Sequence, residues 1–126
     1  MNATAIPVQE LICQLLDGAD GIHADVAAAG LIISHGHFLH REAFRRAITA
    51  GASICTGQPL AAISWDAALR ALDAGLLPCA SSEQALLRIA ASLGDPAIPV
   101  HLRTVLGNLD TRNITLVAAA ITTANG

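Results

Sequence analysis

Apolar residues recur along this chain at spacings of three and four, and each such stripe runs into a glycine. The pattern is visible in VQELICQLLDG, DVAAAGLIISHG, WDAALRALDAG and EQALLRIAASLG. It puts one or two apolar side chains per turn on a single helical face, then offers the residue best able to leave a helix through a left-handed conformation. A chain punctuated in this way is constrained to pack short helices against one another.

The stripes predict six to seven helices. Val8, Leu11, Ile12, Leu15 and Leu16 form the first face, opened by Pro7 and closed by Gly18 at the C′ position. A second helix starts at Asp20 and ends near Gly36; its centre, VAAAGLII, is apolar all round and predicts a buried element. The third is expected over Leu39 to Ala50, with Leu39, Ala43, Phe44, Ala47 and Ile48 inward, Arg41, Glu42, Arg45 and Arg46 outward, and Gly51 as its stop. ASICTGQPLAAI follows and reads as an irregular loop, since it holds Gly57 and Pro59.

Ser64 caps a fourth helix with Trp65, Leu69 and Leu72 on its inner side, and Ser81 with Gln84 makes a capping-box pattern for a fifth carrying Leu86, Ile89, Ala90 and Leu93. Pro99 opens a sixth with Leu102, Val105, Leu106 and Leu109. Asp110 caps a seventh with Ile114, Val117, Ala118 and Ile121. Joints this short, with no repeat or linker, predict an all-α fold: one compact domain over residues 1–126, its second helix buried.

Composition narrows the function classes. Apolar types make up 53% of the 126 residues and charged types 13%, the reverse of a disordered chain. Alanine, at 26 residues, favours close helix packing, and a surface so poor in charge leaves apolar area for an interface, so self-association is expected. Lysine is absent, all seven cations are arginine and the net charge is −3, which disfavours nucleic acid as a partner. Cys13, Cys55 and Cys79 are an odd number without paired spacing, which suits reduced thiols in the cytoplasm. The amino-terminal stretch carries Glu10 in its apolar part and no basic region, unlike a signal peptide, and no run approaches the ~18 apolar residues of a membrane span.

The runs LPCASSEQALLRIAASLGDPAIPVHLRTVLGNLDTRNITLVAAAI and AGLIISHGHFLHREAF together resemble a set of short uncharacterised helical proteins of high-GC Gram-positive bacteria. The resemblance implies a bacterial, cytoplasmic, helical protein, and carries over no catalytic or binding residue.

Three clusters of residues are candidates for chemistry. His35, His37 and His40 form an H-x-H-x2-H run with Cys55 a short loop away, and imidazole with thiolate suits zinc. Against a metal site, the run matches no firm template, and a joint at Gly36 explains each histidine separately. Arg41, Arg45 and Arg46 are candidates for contact with a protein partner or with nucleic acid; the preceding helix and tight turn have the outline of helix-turn-helix, but Glu42 dilutes the charge. Cys79 sits just ahead of the fifth helix, whose amino end favours a thiolate, and Glu83 in the same turn opposes one. No nucleophile with a base, paired carboxylates or phosphate-binding loop stands out, so the sequence predicts a non-enzyme that requires no cofactor. The reading is a protein that acts by protein contact, as homo-oligomer, adaptor or regulator. A DNA-binding regulator using Leu39 to Ala50 and a metal-binding protein using the histidines are the alternatives.

Overall fold

A computed structural model describes residues 3–126. After a short 3-10 turn at Ala3–Ala5 come α1 (Val8–Ala19), α2 (His23–His35), a second 3-10 turn (Phe38–His40) and a single helical turn, α3 (Glu42–Arg45). An antiparallel hairpin follows, β1 (Ile48–Ala52) with β2 (Pro59–Ile63), and then α4 (Trp65–Asp73), α5 (Ser81–Gly94), α6 (Leu102–Asn108) and α7 (Thr111–Asn125). The fold is predominantly helical, as the periodicity predicts, with one small sheet added.

α2 runs through the middle. Its Ala28 and Ile32 are fully buried and Ala27 and Leu31 nearly so, and it packs on α7, α5 and α1. A run of alanines lets those three helices approach closely while Leu31 and Ile32 fill the space between them. The helix ends at Gly36, whose φ of 84° is the left-handed conformation that glycine adopts without steric cost, and its N–H bonds back to Ile32 O.

The expected third helix does not form. Its first residues are split between the 3-10 turn and α3, and Ala47 N–H bonds to Phe44 O as the chain leaves the helical turn. β1 begins one residue later because Ile48 and Thr49 are β-branched and find a partner strand: Ile48 pairs with Ile63, and the register runs to Ala52 against Pro59. The expected loop is therefore the turn and second strand of a hairpin, and Gly51 lies within β1. The turn is closed by Ser53 N–H to Gln58 O at 2.8 Å and Gly57 N–H to Ser53 O at 2.8 Å.

Gly18 is not the terminator of α1. It lies within the helix, where a Cβ would run into Ala61 O, so the residue is glycine because β2 crosses there. Gly94 plays the same part in α5, with the Trp65 indole lying where its Cβ would be. The cap of α7 is as expected: Asp110 Oδ1 accepts from Asn113 N–H at 2.8 Å. At α5 only half of a capping box forms, because the N-cap is Ala80, which has no acceptor; Glu83 Oε1 accepts from Ala80 N–H at 3.0 Å.

Candidate functional site

The histidines and arginines that stand out in the sequence meet the amino end of α5. Gly36 turns the chain so that His37 comes against Glu83, with Nδ1 3.3 Å from Oε2. Arg41 reaches back one turn, its Nη1 3.1 Å from His37 Nε2 and 2.8 Å from Pro78 O. Guanidinium can only donate, so Nε2 accepts and the ring proton sits on Nδ1, shared with Glu83. Glu83 is thereby fixed at both oxygens, and the polar groups of the joint form a chain that ties residues 37–41 to α5.

Arg45 departs from the outward face expected of it. It is only 9% exposed, and its Nε donates to Leu39 O at 2.6 Å while Nη1 donates to Ile6 O at 2.7 Å and Thr4 O at 3.4 Å. A single helical turn, unlike a continuous helix, leaves Arg45 pointing back toward the amino-terminal segment. The guanidinium therefore binds backbone carbonyls of that segment and of the turn before α3. Arg46 is the outward residue, paired with Glu42 at 3.1 Å across a highly exposed surface. The three arginines thus have three different settings, and no continuous arginine-bearing helix presents them together.

His35 is 8% exposed and its Nδ1 has no hydrogen-bond partner among the described residues. Burial is the main influence on it and pushes its pKa below the ordinary 6.5; Glu83 opposes that shift, while Arg112 and His37 reinforce it. Its ring packs edge-on to His37, with centroids 5.9 Å apart, and lies against Phe38. Arg112 Nη2 donates to His35 O at 3.3 Å, a cation on the carboxyl end of α2. His40 is exposed on the 3-10 turn. The histidines therefore do not converge on one point. Among the described residues no three His, Cys, Asp or Glu side chains are placed to hold an ion.

Burial also raises the Cys79 thiol, and Glu83 raises it further against the smaller opposing influence of Arg41, so this sulfur stays protonated at neutral pH. The His37–Glu83 pair has the form of an oriented base, but the ring nitrogen that would take a proton is occupied by Arg41. The cluster is built to hold α5, α2 and the turn between them in register.

No family model, curated protein or solved structure matches the chain. Its own surfaces carry the functional reading.

Two features escaped the sequence reading. The first is how much of the carboxyl-terminal apolar pattern stays in solvent. On α7 the buried line is Asn113, Val117 and Ala120, and the expected inner residues Ile114 and Ile121 are 39% and 53% exposed. On α6 only Val105 is buried, while Leu102 and Leu106 are 57% and 43% exposed. No ionisable side chain occurs after Arg112, a signal present in the sequence. The second is a cleft of about 130 Å³ where α1, α2, β2, α4 and α5 meet, with Asp25 and Trp65 in its wall. No local pattern announces it, because its walls come from five elements.

Proposed function

We propose that this is a small bacterial cytoplasmic protein that acts through protein contacts, with a second copy of the chain as its partner and α7 at the interface. The observation that carries the reading is the exposed, charge-free face of α7, on which Ile114, Ala118 and Ile121 share one side with Thr111, Thr115 and Thr122. Beside it lies a groove of about 190 Å³ between α1, α2 and α7, walled by Leu16, Val26, Gly30, Leu116 and Ala119 and also free of charge. Neutral apolar area gains nothing from a charged partner and loses least by burial against another neutral face. The face of α7 in a second copy meets that requirement, and its small residues let two helices approach closely.

At 15 residues α7 is about 22 Å long, so alone it falls short of the ~800 Å² that each partner buries in a standard interface, and the neighbouring groove supplies the remainder. No helix among the described residues is long and apolar enough to cross a membrane. The three free cysteines support a reducing compartment. Light scattering from micromolar to millimolar concentration should give a mass rising toward that of a dimer. The double substitution Ile114→Glu and Ile121→Glu should hold the chain at monomer mass with an unchanged circular dichroism spectrum. A wild-type chain that stays monomeric throughout that range overturns the reading.

A further inference from the structure

The cleft between α1, α2, β2, α4 and α5 is independent of the α7 face, and its chemistry is specific. Its walls are Leu15, Ala19, Ala29, Ala61 and Ile63, the Trp65 indole, and the backbone at the two close approaches, Gly18 and Gly94. Among the described residues a single charged side chain lines it. Asp25 stands in the first turn of α2, where the helix amino end suits a negative charge, and among the described residues no arginine, histidine or hydrogen-bond donor is paired with it. Its neighbours on α1 and β2 in the cleft are all uncharged.

An unpaired carboxylate among apolar walls and an indole is a binding environment for a compact cation. Carboxylate and positive charge attract more strongly where the walls exclude water, and methyl or methylene groups around a nitrogen gain by covering apolar surface. An aromatic ring in the wall favours the same ligand, because tryptophan is the strongest aromatic partner for organic cations. A volume of about 130 Å³ is close to the ~150 Å³ of cavities that take up a benzene-sized molecule. Ala62 at the rim of the cleft is exposed, so a longer substituent can extend into solvent past it.

We propose that this cleft binds a small alkyl- or quaternary ammonium group, with Asp25 as its counter-ion and Trp65 as its aromatic wall. Binding here is a second property of the chain and does not rest on self-association.

Trp65 is the one tryptophan and the chain has no tyrosine, so intrinsic fluorescence reports on this cleft directly. The full-length protein is titrated with choline and, separately, with its uncharged isostere in which carbon replaces the quaternary nitrogen. Choline should change the Trp65 emission saturably, and the isostere should bind at least ~10-fold more weakly. Asp25→Asn should weaken choline by a similar factor, and Ala62→Leu, which fills the mouth of the cleft from an exposed position, should weaken both probes. Circular dichroism of each variant shows that the fold is retained, and the indole N–H resonance gives a second readout on the wild-type chain. Equal affinity for the charged and uncharged probes, unchanged choline binding in Asp25→Asn, or no saturable response at either readout overturns the assignment.

Discussion

The joint between α2 and α3 and the outer face of α7 invert the usual expectation of which residues face outward. The joint is dense in ionisable groups, yet Arg45 is buried against three carbonyls, and His37, Arg41 and Glu83 are bound to one another. The face of α7 has no charge, yet Ile114 and Ile121 lie in solvent. At the joint charged groups hold elements together, whereas on α7 apolar side chains lie open to solvent. Substitutions that separate these two roles should therefore affect stability at the joint and association at α7.

Arg45→Met should have the largest effect. It replaces the guanidinium by an apolar chain of similar length and strands Leu39 O and Ile6 O, each buried by the same contacts that exclude water. A buried acceptor left without a donor costs ~1–3 kcal/mol, so urea unfolding should show a loss of about 3 kcal/mol. Arg45→Lys should recover only part of it, since one ammonium cannot span the separated carbonyls that the planar fork reaches. A loss under ~0.5 kcal/mol would mean that the joint is no more committed than the surface.

Glu83→Gln tests the polar chain one step further out. The amide can still accept from Ala80 N–H, but the charge shared with His37 Nδ1 is gone. The groups are only partly buried, which limits the effect to about 1 kcal/mol. The same variant removes an influence that holds the Cys79 thiol up and one that holds the His35 pKa up. Thiol alkylation of Cys79 should therefore quicken at a given pH in Glu83→Gln, a readout that a purely structural loss would not shift along the pH axis.

The burial of His35 gives the joint a pH dependence. Folding disfavours its protonated form, so the unfolded chain, with the ordinary value of 6.5, holds more protons than the folded chain as pH falls. The stability associated with a neutral His35 is complete above that value and is lost progressively as pH drops through it. Thermal unfolding followed from pH 8 to pH 5 should show this decline, and His35→Phe, which keeps a ring against Phe38 and removes the unpartnered Nδ1, should flatten it. An unchanged slope in that variant would place the acid sensitivity elsewhere.

What the sequence made legible follows the reach of each interaction. The cap of α7 and the glycine end of α2 depend on residues three or four apart, and both are where the pattern puts them. Two of the three carbonyls that hold Arg45 lie 39 and 41 residues away, and the hairpin is legible only through the pairing of Ile48 with Ile63. Helical spacing over Leu39 to Ala50 was real as a pattern and lost to that pairing, which buries Ile48 and Ala61. The same limit explains α7. Periodicity marked Ile114 and Ile121 as one stripe with Val117, but only a neighbour decides which edge of a stripe is covered, and α2 and α5 cover the side bearing Asn113, Val117 and Ala120.

The smallest effects on stability should come from the apolar side of the comparison. Ile121→Ser removes an apolar side chain that is 53% exposed and meets no buried polar group. At concentrations where the chain is monomeric its unfolding free energy should move by no more than ~0.5 kcal/mol, the range of ordinary surface substitutions. Arg46→Ala, which breaks only the exposed pair with Glu42, should be equally mild and leave the dissociation constant for self-association unchanged. Ile121→Ser should raise that constant severalfold, since each apolar side chain removed from a small neutral interface takes with it a sizeable share of the buried area. Sedimentation measured on the two variants side by side separates the outcomes. If Arg46→Ala weakens association and Ile121→Ser does not, the interface lies on the charged side of the molecule, and the contrast between the two regions is reversed.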